Sequence, residues 1–527
     1  MISRQSVTRR ALLTGATASL VASGAGRARA AAGYPFTLGV ASGNPAPDGV
    51  VLWTRLAPEP LSPDPERPGG MAPLVVPVRW EIADDPAMRR VVQQGDADAA
   101  PEYAHSVHIE CKGLEPGRDY WYRFTAAGEA SLTGHTRTAP ARGAPLGRLR
   151  FGFCSCANYE WGYFSAYRHL AAEAPDLVLF LGDYIYEYAS RSDKRVRDHS
   201  DGVEATDLRT YRNRHAQYKT DPDLQLLHAA APCLATWDDH EVQNDYADRW
   251  SQDYADPTAF LARRAAAYRA FWEHMPLPRS AMPKGPDAAI YGRFDFGDLA
   301  SFLVVDGRQY RSRLACDSGP RGGGKQLVDR ACPERLDPAR SYLGMAQEAW
   351  LYEQFRQSAT RRPAHWNILA QEQLMAEFKE RADNGEIAHW SDDWNGFPAA
   401  RQRLLQQVHD TSLPNPVVIG GDIHSFWAND LKIDFDDPAA PVVASEFVGS
   451  SITATPPPYA KFAAWAAENP HVHFFESRKR GYVSVDLAPA RMEVAFRAVS
   501  RVRDPVADVA TLRRFVVEDG RPGVQDA

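Results

Sequence analysis

Leu177-Val178-Leu179-Phe180-Leu181-Gly182-Asp183-Tyr184-Ile185-Tyr186-Glu187 places five apolar residues in a row, then a glycine, then a carboxylate followed by phenols and a second carboxylate. An apolar run without alternation fits a strand buried on both faces, as in a parallel sheet covered by helices. The pattern recurs four times. Leu149-Arg150-Phe151-Gly152-Phe153 runs into Cys154-Ser155-Cys156, and Leu234-Ala235-Thr236-Trp237 runs into Asp238-Asp239-His240-Glu241, with Asn244 a turn later. Phe302-Leu303-Val304-Val305 gives Asp306-Gly307-Arg308, and Val417-Val418-Ile419-Gly420-Gly421 gives Asp422-Ile423-His424. Helical spacing of apolar residues over 161–173, 260–275 and 343–355 predicts helices among these strands, hence an α/β layered domain.

In open α/β sheets ligands gather outside the carboxyl ends of the strands. Five clusters distant in sequence can therefore meet at one rim, where so many carboxylates repel one another unless cations sit between them. Each cluster alone has a plainer explanation: an Asp after a strand is often a helix cap, Cys156 a core residue and Tyr186 a packing residue. Glycine ahead of Asp183 and of Asp422 lets the backbone turn sharply and approach an ion.

Upstream, short runs such as Val50-Val51-Leu52-Trp53 and Tyr120-Trp121-Tyr122-Arg123-Phe124, separated by turn residues, predict a small all-β sandwich over 34–140. Leu114 to Tyr122 resembles the tyrosine corner of fibronectin- and immunoglobulin-like modules, and this unit is assigned no chemistry. The Ala/Pro/Gly-rich 138–146 reads as a linker, 148–505 as the catalytic domain, and 506–527 as a C-terminal tail.

Residues 1–30 read as a twin-arginine signal: Arg9-Arg10 precede a mild apolar stretch that ends at Ala28-Arg29-Ala30. The expected destination is the periplasm or the exterior, reached through the twin-arginine export machinery. Loss of this segment, which holds five arginines and no acid, takes the net charge from −7 to about −12, which argues against specific nucleic-acid binding. Apolar runs are too short for a membrane span, and a monomer is expected. Cys316 and Cys332 flank a loop without core-forming residues and are predicted to pair, which stabilises the fold by about 3 kcal/mol in the chain-entropy model.

The opening Phe36-Thr37-Leu38-Gly39-Val40-Ala41-Ser42-Gly43, the segment 181–187, Trp237-Asp238-Asp239-His240-Glu241 and Gly421-Asp422-Ile423-His424 together resemble the PhoD-type alkaline phosphatases. These are a branch of the calcineurin-like metallophosphoesterases, related to the purple acid phosphatases. The resemblance implies a four-layer αββα metallophosphoesterase domain behind the sandwich, holding Fe3+ and one or two Ca2+. It implies Cys156, Asp183, Tyr186 and His424 as iron ligands, with Asp183 bridging to calcium. Asp239, Asp422 and Asp238 are implied as calcium ligands, with Asn244 as a neighbour. His240 takes the place of the family's catalytic histidine, and Arg308 resembles a clamp on the substrate phosphate. Asn44 stands where the family's opening commonly has Asp, and Cys154 is an additional cysteine beside Cys156.

Thiolate, phenolate and imidazole are reasonable iron donors, and carboxylates suit calcium. The implied reaction is attack by a metal-activated hydroxide on the phosphorus of a monoester or diester, with phosphate-ester small molecules or phospholipid head groups as substrates. A phosphodiesterase or phospholipase D on the same scaffold is the nearest rival reading, and a secreted binding protein with a degenerate site is a second. No Gly-x-Ser-x-Gly elbow follows a suitable strand, which disfavours a serine nucleophile.

Overall fold

The computed structural model describes residues 33–189, 192–360 and 364–527. The twin-arginine signal expected at 1–30 lies outside the described residues. Two large sheets face each other. The first, ten-stranded, has at its centre the parallel strands Leu149–Cys154, Leu177–Leu181 and Cys233–Thr236. The second, seven-stranded, has the parallel strands Ala300–Val304, Trp366–Ala370, Pro416–Gly420 and Val442–Val448.

Both faces of these strands are buried, as their unbroken apolar runs require. Phe151, Phe153 and Leu179 meet Phe302, Ile368 and Phe447 in the core between the sheets. On the outer side of the first sheet, Val178 and Phe180 pack against Leu170, Leu224 and Phe271 of the helices Ser165–Ala172, Pro222–Ala230 and Pro257–His274. On the outer side of the second, Leu303, Leu369 and Val418 pack against Leu351, Phe355, Leu404 and Leu405 of Met345–Thr360 and Pro398–Asp410. Helix, sheet, sheet, helix is the four-layer αββα order. Several helices begin at an aspartate whose side chain accepts backbone N–H groups: Asp207, Asp221 and Asp256, the last two followed by proline at the first helical position.

The expected helix at 161–173 starts later, at Ser165, because 159–161 forms a 3-10 turn and Gly162 is extended. The strands Val91–Ala99, Val76–Ala83, Asp119–Ala126 and Glu129–Ala130 form the free sheet of the N-terminal sandwich, with Gly134–Arg137 paired to Asp119–Ala126. Tyr120 ties the preceding turn, its hydroxyl accepting from the Glu115 N–H at 2.9 Å. The opposing sheet is not separate. Val40–Ala46, Gly49–Arg55 and Ser106–Lys112 continue the ten-stranded sheet through the pair Gly43–Cys233, so the units 34–140 and 148–505 share one sheet.

Residues 506–527 are not a tail. Val509–Glu518 and Arg521–Asp526 extend the far edge of the ten-stranded sheet and send Phe515, Val517 and Val524 into the inter-sheet core. Arg513-Arg514 interrupts the apolar alternation there, which hid the strand in the sequence. Among the described residues no helix is long and apolar enough to cross a membrane.

Candidate metal centre

The carboxyl ends of the central strands of both sheets open on one rim, and the acids expected from the sequence meet there. Ligand-type atoms of Cys156, Asp183 and His424 lie within 4.8 Å of one another, as do those of Asp183, Asp238, Asp239 and Asp422. Asp183 belongs to both groups, and also to a third with Asp239 and His240. The Tyr186 hydroxyl donates to Asp183 Oδ2 at 2.9 Å and lies 3.0 Å from His424 Nε2, which adds a phenol to the thiol, carboxylate and imidazole. His424 Nδ1 faces the Thr455 carbonyl at 2.6 Å, so Nε2 carries the free lone pair on the inward side.

The local backbone is bent to bring these atoms together. Cys156, Asp183, Asp422 and His424 all have positive φ, between 51 and 61°, a region costly for residues with a Cβ and concentrated at functional sites. Gly182 and Gly421 precede two of them because a Cβ at either would lie 2.4 Å from the Asp238 Cβ or 2.2 Å from the Ser155 hydroxyl. Glu241, fully buried, staples the loops: its carboxylate accepts from the N–H groups of Asp183, Tyr184 and Asp238.

Electrostatics show the strain of the arrangement. Burial raises the Asp183 carboxyl well above its ordinary range, the Asp239, Asp238 and Glu241 charges add to this, and the His240 charge opposes it. Asp422 is raised by burial and then by Asp238 and Asp239, and Cys156 by burial and then by Asp183 and Asp422. Asp238 is pushed up to about 6 by burial against the pull of Arg308. Asp238 Oδ2 and Asp239 Oδ1 are buried without a hydrogen-bond partner. Orphaned carboxylate oxygens at such a crossing are costly unless a cation accepts them. The donor set fits a polynuclear centre: sulfur, phenol and imidazole on one side of Asp183, carboxylates alone on the other.

His240 sits over this centre, its ring 4.1 Å from that of Tyr186. Its Nδ1 is 2.6 Å from Glu187 Oε2. Burial alone would lower the imidazole pKa, but Glu187, Asp239 and Asp183 together hold it well above the ordinary value. Asn244 enters through its backbone, whose N–H donates to Glu187 Oε1 at 2.8 Å.

Arg308 is not placed as a clamp on substrate. Its side chain is 0% exposed, its Nε donates to Asp238 and its Nη1 lies 2.8 Å from Asp392 Oδ2. The guanidinium is a fixed counter-charge beneath the carboxylates, and sequence position beside the rim did not reveal that depth.

Three contributors escaped the sequence reading. Glu187, the second carboxylate of 177–187, orients His240. Asp245 and Asp392 form with Asp239 a further acidic group whose oxygens lie within 4.8 Å. Neither ends an apolar strand, so the strand-end signal did not reach them. Asp392 is already bonded by Arg308, Arg311 and Gln373, so this group is better neutralised by the protein than the one around Asp183.

Two facing sheets wrapped by helices, with a shared carboxylate between a mixed-donor and an all-oxygen cluster, define a layered α/β scaffold with a candidate metal centre at its rim. Sequence and structure comparisons narrow this. The model of the PhoD-like phosphatases matches residues 151–496, and the model of their N-terminal domain matches residues 21–140. The chain is 43% identical over 499 residues to alkaline phosphatase D of Bacillus subtilis (strain 168), covering 93% of this chain and 82% of that protein. A solved structure of PhoD superposes with a TM-score of 0.86 at 42% identity, covering 94% of this chain and 92% of the other. The chain belongs to the PhoD-like phosphatase family.

Proposed function

We propose that the chain is an exported, cation-dependent phosphoesterase that hydrolyses phosphate monoesters and diesters. The observation that carries this is the sharing of Asp183 between a Cys156/Tyr186/His424 group and an Asp238/Asp239/Asp422 group. Fe3+ would be held by Cys156, Asp183, Tyr186 and His424, and Ca2+ by Asp183, Asp238, Asp239 and Asp422, with the Asp239/Asp245/Asp392 group available to a second Ca2+. Cations bound there supply Lewis acidity that activates water as a nucleophile and neutralises charge on the phosphoryl oxygens.

The chain's own residues do the rest. Glu187 holds His240 as an oriented imidazolium at the mouth of the centre, where it donates a hydrogen bond to a phosphoryl or leaving oxygen and can release a proton to the departing alcohol. Tyr186 packs its tilted ring against the imidazole and limits its rotation. Arg308 keeps Asp238 and Asp239 ionised from below without touching substrate. Arg9-Arg10 would direct the chain to the twin-arginine machinery, which carries folded cargo with its cations already in place.

The test is turnover of an aryl monophosphate, a bis-aryl phosphate and phosphatidylcholine by the cation-loaded chain and by His240→Ala. Loss of turnover in the variant at unchanged cation content supports the reading. Equal turnover by both rejects the role of His240, and no hydrolysis of any ester rejects the function. The three substrates separate monoesterase, diesterase and phospholipase D activity.

A further inference from the structure

Beyond the acidic rim a groove of about 720 Å3 leads outward from Asp422 and His424, a size suited to a small organic ligand. One wall carries Trp390, on the strand Ile387–Trp390. Its indole is 37% exposed yet fixed, because it lies against Gly324, where a Cβ would come within 2.5 Å of the ring. Thr455-Pro456-Pro457 and the helix Tyr459–Ala466, which brings Phe462 and Lys461, also line the groove. Proline offers no N–H, so this part of the lining is apolar and stiff.

The charges in the groove are unequal in availability. Asp245, Asp392 and Asp422 belong to the acidic groups at the inner end. Asp393 is buried and accepts both N–H groups of Asn395. Glu380 is buried, accepts from Gln326, and has its carboxyl pKa raised by burial. The Lys325 ammonium is turned to the Cys316 and Ser318 carbonyls. Lys461 is different: it is exposed, its ammonium lies 4.6 Å from the Trp465 ring centroid, and among the described residues it makes no salt bridge within 4.0 Å, its charge reaching the buried Glu380 carboxyl only at longer range. The outer groove thus offers a flat apolar wall and one exposed cation that no carboxylate contacts directly.

We propose that this groove is the subsite for the alcohol part of the ester, and that it selects an alcohol with a planar apolar body carrying a second acidic group. The body stacks on Trp390, and the acid pairs with Lys461. The assignment rests on the phosphoesterase reading, since the phosphoryl end must sit at the acidic rim for the alcohol to enter the groove.

Binding of non-hydrolysable phosphonates tests it without turnover. Methylphosphonate, phenylphosphonate and the 3- and 4-carboxyphenylphosphonates are titrated calorimetrically into the cation-loaded chain. The phenyl compound is expected to bind about fivefold tighter than the methyl compound through ring stacking, and the better carboxyphenyl isomer about threefold tighter again through an exposed ion pair. Trp390→Ala removes the first step, Trp390→Phe retains most of it, and Lys461→Ala removes only the second. Equal affinities for all the compounds, binding by none of them, or steps that survive these substitutions overturn the proposal. A chain that binds in the expected order but hydrolyses no ester leaves the groove's ligand preference standing while refuting the phosphoesterase function, and with it the role as an alcohol subsite.

Discussion

Replacing Asp183 by Asn separates the role of its charge from that of its shape. In the group Asp183/Asp238/Asp239/Asp422 the oxygens lie within 4.8 Å of one another. At that distance and an effective dielectric of about 20, each like-charged pair costs about 3.5 kcal/mol. Three such pairs act on Asp183; a proton taken up by the raised Asp183 and Asp422 carboxyls removes about one and His240 offsets about another, leaving a net penalty of about 3 kcal/mol in the cation-free protein at pH 8. Asn keeps an oxygen for the Tyr186 hydroxyl, so the hydrogen bond at 2.9 Å can survive. Cation-free Asp183→Asn is therefore expected to resist guanidinium unfolding better than cation-free wild type, by about 3 kcal/mol. With cation at a thousand times its dissociation constant, wild type gains about 4 kcal/mol and the variant little, so the order inverts. Equal destabilisation of the variant with and without chelator would mean that Asp183 is a packing residue, and the electrostatic argument would be wrong.

Other consequences can be checked independently. Glu187→Gln leaves an acceptor for the His240 imidazole but removes the charge that holds it protonated; turnover should fall about 10–100-fold with cation content unchanged, and undiminished turnover would count against the pairing. Burial raises Asp238 from 3.8 to about 6 and Asp245 to about 7, so the folded cation-free chain binds more protons than the unfolded one. The stability gained on adding saturating cation should accordingly grow as pH rises from about 4 to about 7, because the sites lose their protons over that window; a cation gain that shrinks over it contradicts the shifts. Cys316 and Cys332 form a disulfide across a sequence separation of 16, and the double Ser variant should lose about 3 kcal/mol of stability. The loop it closes also donates the Gly324 N–H to Asp245 Oδ2 at 2.8 Å, so calorimetry should show weaker Ca2+ binding at the Asp239/Asp245/Asp392 group, and unchanged binding would free the loop of that role.

The layered fold was legible because strands buried on both faces advertise themselves as unbroken apolar runs, and because the side chains that follow them are chemically unusual. That signal points to the clusters that hold Cys156, Asp183, Tyr186, Asp238, Asp239, Asp422 and His424, the family resemblance singles these out as ligands, and the structure draws them to one rim. Depth was not legible. Arg308 follows a strand as Asp183 does, yet its side chain turns inward to Asp238 and Asp392, a choice set by tertiary charge pairing. Asp245 and Asp392 sit in turns whose sequences carry no periodicity, so only the fold could join them to Asp239. Strand Val509–Glu518 was missed because Arg513 and Arg514 occupy its exposed stretch, between Leu512 at the margin of the core and Phe515 and Val517 within it. The seam between sandwich and catalytic layers was missed because it rests on one backbone pairing, Gly43 with Cys233, which leaves no compositional trace.

The central claim, that cations held between the Asp183-linked groups perform the hydrolysis, is tested most directly by elemental analysis of the purified chain coupled to turnover of 4-nitrophenyl phosphate before and after chelation. The account predicts bound iron and calcium, loss of at least about 1000-fold in rate when both are stripped, and recovery when both are returned. Full turnover by a chain free of metal would contradict it.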